Sequence, residues 1–271
     1  MQKETFITES KRILYFFLIR TKLTLKNAIY EKKESKFLFI LSPPYCGSTL
    51  LNQIISTSED VSCNNHLGTR EGQLLPGVKH FMFQKNRWDE NVKYDWKKIK
   101  NVWMRYWDQS KSVLLDKSIP NIMRVNAIKK EFNNIFFICM VRNPYAQVEG
   151  IIRRNEASAE YAANFAIKCL KHQKLNVEKE KNLLFLTYEQ LCENQNTTIQ
   201  KIIDFIPELF DIKTNIEFNA HNYKTKGSMS ITNLNQEKIT KLSSQDILTI
   251  NTIFKKNISL LTFFNYQIID D

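Results

Sequence analysis

The chain is poor in the residues that punctuate or cross-link a fold. It has 6 glycines, 6 prolines and 5 cysteines in 271 residues. The cysteines (Cys46, Cys63, Cys139, Cys169 and Cys192) are scattered, odd in number and never paired as CxxC. That argues against a disulfide framework or a zinc site and fits a reducing, cytoplasmic setting. Long apolar runs are also missing. Near the start the longest is Ile13 to Ile19, bounded by Arg12 and Arg20, and seven residues are too few to span a bilayer. No small-residue cleavage site follows it, which argues against a signal peptide. Low-complexity tracts and internal repeats are absent too.

What is plentiful is positive charge. Lys+Arg number 39 against 28 Asp+Glu, a net charge of +11. The excess is uneven: +5 over residues 1–36, −2 over 37–78, +8 over 79–130 and zero over 131–271. A nucleic-acid coat would not leave half the chain neutral, and no nucleic-acid reading motif occurs. The balance points to an anionic ligand, acceptor or surface. Residues 1–35 read as a basic amphipathic helix, packed on the body or touching a membrane surface reversibly at the inner face. Residues 36–271 read as one α/β domain with a helical insertion over 79–111.

The pattern along that domain alternates. Buried strands are expected at 36–41, 111–115, 135–141 and 182–187, as short continuous apolar runs. Helices are expected over 48–56, 120–132, 158–180 and 188–205, with one opening at Asn143-Pro144 and helical structure in the last 35 residues. There, Ser243-Ser244-Gln245-Asp246 is a capping candidate. Strand–helix alternation implies a central parallel sheet with helices on both faces, and ligands then sit beyond the carboxyl ends of the strands.

Two segments fall at such ends. Ser42-Pro43-Pro44-Tyr45-Cys46-Gly47-Ser48-Thr49-Leu50 leaves a strand and enters a helix. Small residues there let backbone N–H groups and the helix dipole meet an oxyanion. It lacks the lysine of a Walker A loop, which disfavours a general ATPase or GTPase. Val141-Arg142-Asn143-Pro144 puts an arginine fork at a strand end, where a phosphate could be held.

Together these segments resemble the PAPS-dependent sulfotransferase family, whose donor is 3′-phosphoadenosine 5′-phosphosulfate. Residues 42–51 are similar to its P-[RK]-x-G-[ST]-T phosphosulfate loop, and Val141 to Ala146 to its 3′-phosphate segment. Leu186-Thr187-Tyr188-Glu189-Gln190-Leu191 is similar to its Y-E-x-L segment, and Asp116-Lys117-Ser118-Ile119-Pro120 to a segment of its carbohydrate- and protein-modifying branches. The resemblance implies a P-loop-like three-layer fold and sulfuryl transfer to a hydroxyl or amine of a saccharide or similar acceptor, without a metal. It would place the donor against Pro44, Tyr45, Cys46, Gly47, Ser48, Thr49, Leu50, Arg142, Gly150 and Tyr188. Lys224, Lys226 and Gly227 would form an adenine-side loop.

Two positions depart from the family pattern. Tyr45 stands where the loop carries Arg or Lys, and Gly150 where a serine follows Arg142 by eight residues. Lys117 is the best candidate for a replacement cation, and Arg153 and Arg154 could compensate for Gly150. Otherwise the chain would bind nucleotide or glycan without turnover. Glu71 is preferred as the base that takes the acceptor proton, with His66 the alternative. Trp96, Trp103 and Trp107 share one helix face. They read either as a core stripe or as an aromatic platform for an acceptor, which the basic insertion would suit if anionic.

Overall fold

The computed structural model describes residues 2–214 and 231–269. A long N-terminal helix, α1 (Gln2–Ile29), precedes β1 (Lys36–Leu41), α2 (Ser48–Ile55) and β2 (Val61–Cys63). The insertion holds α3 (Lys79–Met82) and α4 (Trp96–Trp103) before β3 (Val113–Asp116). Then follow α5 (Val125–Glu131), β4 (Ile135–Val141), α6 (Pro144–Asn155), α7 (Ala159–Lys179) and β5 (Leu183–Thr187). The chain continues through α8 (Tyr188–Glu193), α9 (Gln195–Phe205), α10 (Asn235–Ile239), α11 (Ser244–Lys255) and α12 (Ile258–Phe263).

The five strands form one parallel sheet in the order β2-β3-β1-β4-β5. Successive side chains of a strand point to opposite faces. Leu38 and Ile40 therefore pack with α2 and α9 residues such as Leu51 and Ile202. Phe39 and Leu41 pack with Trp103, Trp107 and Phe132 on the other face. Burial on both faces explains why the central strands read as unbroken apolar runs. The third cluster joins α6 and α7 to α11 and α12 through Tyr145, Ala163, Ile250 and Phe254.

Three expectations need correction. β2 had no sequence signal. The helix expected over 188–205 is two helices, α8 and α9, parted at Asn194. The segment expected as one helix over 120–132 begins as a 3-10 turn, Ile119–Met123, before α5. The capping candidate holds: Ser243 accepts from the Asp246 N–H while the Asp246 carboxylate accepts from Ser243 N. All strands run the same way, so their carboxyl ends share one edge. The register sets Phe39 beside Asp116 and Phe137, and Val141 beside Thr187. The residues after β1, β3, β4 and β5 therefore converge there, where the strand order reverses on either side of β1.

The tryptophan stripe belongs to the core. Trp103 and Trp107 are fully buried and Trp96 nearly so. Their rings meet edge to face, at 6.2 Å for Trp96–Trp103 and 5.8 Å for Trp103–Trp107. This removes the aromatic acceptor platform. Each inner indole also uses its polar handle: Trp103 Nε1 donates to the Gly72 carbonyl at 3.1 Å and Trp107 Nε1 to the Leu115 carbonyl at 3.0 Å. Trp103→Ala would empty this position and take from the Gly72 carbonyl one of its two donors, leaving Leu75 N. We expect a loss of about 3–5 kcal/mol, measured by urea unfolding; a loss under about 1 kcal/mol would show that the stripe is not core.

Candidate active site

The loop after β1 turns on two residues with positive φ, Tyr45 at 65° and Gly47 at 87°. Gly47 is the N-cap of α2, and its missing side chain is required. A Cβ there would lie 2.6 Å from Tyr188 Cδ2. Ser48 and Thr49 form the first turn of α2, so their N–H groups have no intrahelical acceptor. Pro44 lies in the turn before them. The side chains of Cys46 and Leu50 are buried, and Leu50 packs into the core. These two residues can therefore offer a ligand only backbone. Burial pushes the Cys46 thiol well above its ordinary range, so it is not a nucleophile.

Arg142, just after β4, is 5% exposed. Its Nε donates to Asn235 Oδ1 at 2.7 Å and its Nη1 to the Tyr45 carbonyl at 3.1 Å. Its guanidinium carbon lies 3.9 Å from the Tyr188 ring centroid, a cation–π contact that holds the fork flat. Nη2 is buried without a partner among the described residues. Such a donor is costly unless a ligand receives it. Glu189, next to Tyr188, accepts from Asn143 N at 2.8 Å, from Asn235 Nδ2 at 2.5 Å and from the Tyr266 hydroxyl at 3.1 Å. The two motif segments after β4 and β5 are thus locked to each other and to α10.

On the other side of the loop, the Lys117 ammonium is 2% exposed. It donates to Thr49 Oγ1 at 3.1 Å and lies 3.5 Å from Glu71 Oε1. Burial pushes the Lys117 ammonium below its ordinary pKa, and Glu71 works against that shift. The second Glu71 oxygen accepts from Gln73 Nε2. His66 is exposed, outside this buried cluster.

Both departures from the family pattern fall at one contact. A Cβ on Gly150 would lie 2.9 Å from Tyr45 Cβ and Cγ, so the Tyr45 ring occupies the space that a serine would need. The Tyr45 hydroxyl donates to Asn155 Oδ1 at 2.9 Å. Burial raises its pKa, against the nearby guanidinium groups of Arg154, Arg153 and Arg87. Arg153 pairs with Glu149, which also holds Lys238 at 2.8 Å.

Lys224, Lys226 and Gly227 lie outside the described residues. Sequence reading missed Asn235 and Gln73, which steer Arg142 and Glu71. It also assigned no role to Asp116, although that residue stood in a quoted motif.

The arrangement is that of a parallel α/β protein whose strand-end loop, buried arginine and buried lysine–carboxylate pair gather at the carboxyl edge of the sheet. The family model described as "Sulfotransferase family" matches residues 38–210. The chain belongs to the sulfotransferase family. Its fold is similar to the sulfotransferase domain of the olefin synthase from Synechococcus PCC 7002, at 18% identity and a TM-score of 0.56, covering 89% of this chain and 99% of that one. It is also similar to a sulfotransferase from Alicyclobacillus acidocaldarius, at 10% identity and TM-score 0.53, covering 87% and 97%. A third likeness is to a sulfotransferase from Mycobacterium avium, at 11% identity and TM-score 0.53, covering 92% and 82%. No curated protein matches the chain.

Gly150→Ser should destabilise the fold by about 1–3 kcal/mol through overpacking. In a Tyr45→Gly background, which removes the ring and suits the positive φ, most of that loss should vanish. A double-mutant cycle by thermal unfolding checks it, and additive effects would show that the two positions are independent.

Proposed function

We propose that this protein transfers a sulfuryl group from PAPS to a hydroxyl, or amine, of a saccharide or similar acceptor. The observation that carries this reading is the Lys117 ammonium, buried between the Thr49 hydroxyl of the loop and the Glu71 carboxylate. It puts a cation and a base on the same side of the anion loop, although the loop itself has tyrosine where the family has a cation.

The residues fit the donor. Gly47 leaves a cradle that any side chain would fill against Tyr188, and the unpartnered Arg142 Nη2 asks for an anion. The backbone of residues 46–50 would hold the 5′-phosphosulfate, and Arg142, braced by Tyr188, the 3′-phosphate. When bound, the donor supplies the sulfuryl group and leaves as the 3′,5′-bisphosphate nucleotide. Negative charge grows on the departing phosphate oxygen, and Lys117 is the fixed cation available to it. Before the donor arrives, Lys117 is balanced by Glu71. An anion at the loop competes for that ammonium and frees the carboxylate to accept the acceptor's proton. Gln73 orients the carboxylate meanwhile. His66, exposed, is the weaker candidate for the base.

The acceptor side is basic. Lys79, Lys85, Lys93, Lys97 and Lys98 are exposed in the insertion, which supports an anionic acceptor. Five unpaired cysteines support a reducing, cytoplasmic site of action.

Labelled sulfuryl transfer to a panel of saccharide, phenol and amine acceptors tests the reading. Lys117→Met should lower kcat by about 10²- to 10³-fold, and Glu71→Gln by about 10²- to 10⁴-fold. Both should change bisphosphate-nucleotide affinity far less than Arg142→Ala, which should weaken it by at least about tenfold. Tight nucleotide binding with no transfer at high enzyme concentration would overturn the enzyme reading and leave a nucleotide-binding protein.

A further inference from the structure

The α1 helix uses only one side of itself to hold the body. Phe16 is buried in the core cluster with Tyr106 and Trp107, and Tyr15 and Ile19 pack against that cluster. Arg12 donates to the Leu74 carbonyl at 3.2 Å, Asn27 to the Trp107 carbonyl at 2.9 Å, and Lys26 pairs with Asp108 at 2.5 Å. The opposite side is bare and mostly apolar, with Thr21 and Thr24 the polar residues along it and the Thr21 hydroxyl turned onto the Phe17 carbonyl. Ile13 is 63% exposed, Leu14 57%, Phe17 54%, Leu18 56%, Leu25 60% and Ile29 77%. At about 3.6 residues per turn these six fall in one arc of roughly 160°. The other exposed large apolar side chains are spread over the insertion and several C-terminal elements. A contiguous apolar face of this kind marks a contact surface.

The charges say what covers it. Over its whole length α1 has six basic and two acidic residues, and both acidic ones, Glu4 and Glu9, precede the apolar stretch, Glu9 on the Arg20 side of the wheel. Arg12 and Lys26 turn inward to the bonds above. On the helical wheel Arg20 borders one edge of the arc, and Lys11 and Lys22 border the other. Arg20 also lies over the Phe17 ring, its guanidinium carbon 6.0 Å from the centroid. Arg105 adds a further exposed cation near Tyr106, within the electrostatic reach of Arg20. A symmetric pairing of two chains over this face would set each cation row against its copy, because such an interface uses the same patch twice. An apolar stripe bordered by cations matches the acyl boundary and headgroups of an anionic bilayer. Among the described residues no helix is long and apolar enough to cross a membrane, so α1 would lie in the plane of the surface.

We propose that the outer face of α1 docks this protein on an anionic lipid bilayer, with Phe17 and Leu18 in the acyl boundary and Lys11, Arg20 and Lys22 on the headgroups. Because Arg12 bonds to the Leu74 carbonyl from the inward side of α1, docking would fix the orientation of the body, with the helix between the Glu71 segment and the lipid. The docking itself does not depend on the sulfotransferase reading.

Co-sedimentation of the full chain with phosphatidylglycerol or phosphatidylcholine vesicles, without nucleotide or acceptor, tests it. Partitioning should be strong on phosphatidylglycerol, weak on phosphatidylcholine, and reduced by salt. The Phe17→Asp, Leu18→Asp double variant should lose at least about tenfold in partitioning. Lys11→Gln, Arg20→Gln and Lys22→Gln together should lose on the order of a hundredfold. All these positions face away from the body, so thermal unfolding should be unchanged. Absence of binding to phosphatidylglycerol would overturn the proposal. So would binding that none of these substitutions weakens. A concentration-dependent dimer in sedimentation, abolished by Phe17→Asp with Leu18→Asp while vesicles bind nothing, would make the face a self-association surface. Sulfuryl transfer to a soluble acceptor is read separately, so either conclusion can fail alone.

Discussion

The site depends on one buried carboxylate that belongs to neither the loop nor the base. Asp116, at the end of β3, is fully buried. Its Oδ1 accepts from Asn64 Nδ2, Gly72 N and Ser118 Oγ, and its Oδ2 from Ser118 N and Asn121 Nδ2, all at 2.9 to 3.1 Å. Burial lifts its pKa above the ordinary carboxylate range, and these hydrogen bonds offset only part of the rise. A carboxylate out of water is tolerable only with its lone pairs satisfied. Here the donors come from the segment after β2, the segment after Glu71 and the turn after β3. Satisfying Asp116 therefore draws those three stretches together. Lys117 and Glu71, each beside one of them in sequence, are placed as a consequence. Ser118 extends the hold by accepting from Gln73 N at 2.8 Å, and Gln73 in turn bonds Glu71. Gly72 has no room for a side chain, since a Cβ would run into Asp116 and Asn64.

The fold was legible where burial leaves a one-dimensional trace. β1, β3 and β4 are buried over most or all of their length, so their apolar runs needed no periodicity to be seen, and half-buried β5 keeps the same apolar run. The three-residue β2, at the sheet edge, carries no such run and was invisible. Asn194 closes α8 and opens α9, a break that an apolar periodicity running through it conceals. The anion loop and Arg142 were legible because parallel strands deliver their ligands at a known end. Asn235 was not legible. It lies 93 residues from the arginine it bonds, on a short helix whose polar residues resemble any surface turn. The tryptophans were half legible: spacing brought the three rings together, but α4 ends at Trp103, Trp107 follows in the turn beyond it, and nothing showed that the Trp103 and Trp107 N–H groups hold the backbone beside Glu71 and Asp116.

Charge in this molecule divides by burial. The buried cations are met in different ways: Lys117 by Glu71, Arg142 by Asn235, the Tyr45 carbonyl and the Tyr188 ring, and Arg124 by the Arg87 and Asp89 carbonyls and the Tyr94 ring, while half-buried Lys238 pairs with Glu149. Breaking such a pair from one side leaves a charge without water or partner, which is costlier than the pair is worth. The net +11 therefore resides largely on groups that water can reach, on α1 and the insertion. Those charges act at range and weaken with salt, whereas the site's charges act at contact and scarcely do. Attraction and chemistry are thereby assigned to different residues.

Tyr45 and Gly150 are best understood as one alteration. A tyrosine at φ 65° costs roughly 1–2 kcal/mol relative to an ordinary backbone, and it is held there from three sides. Arg142 Nη1 takes its carbonyl, Asn155 takes its hydroxyl, and the bare surface of Gly150 receives its ring. With serine at 150 the ring would have no seat. The two positions lie far apart in sequence and would look like independent losses of function. In the fold they meet, and the ring that fills the gap also fixes the turn that presents the N–H groups of α2. Lys117 reaches the same turn from the end of β3 through the Thr49 hydroxyl. On the proposed reading that ammonium serves a turn where Tyr45 brings no charge, while the tyrosine ring packs over Gly150.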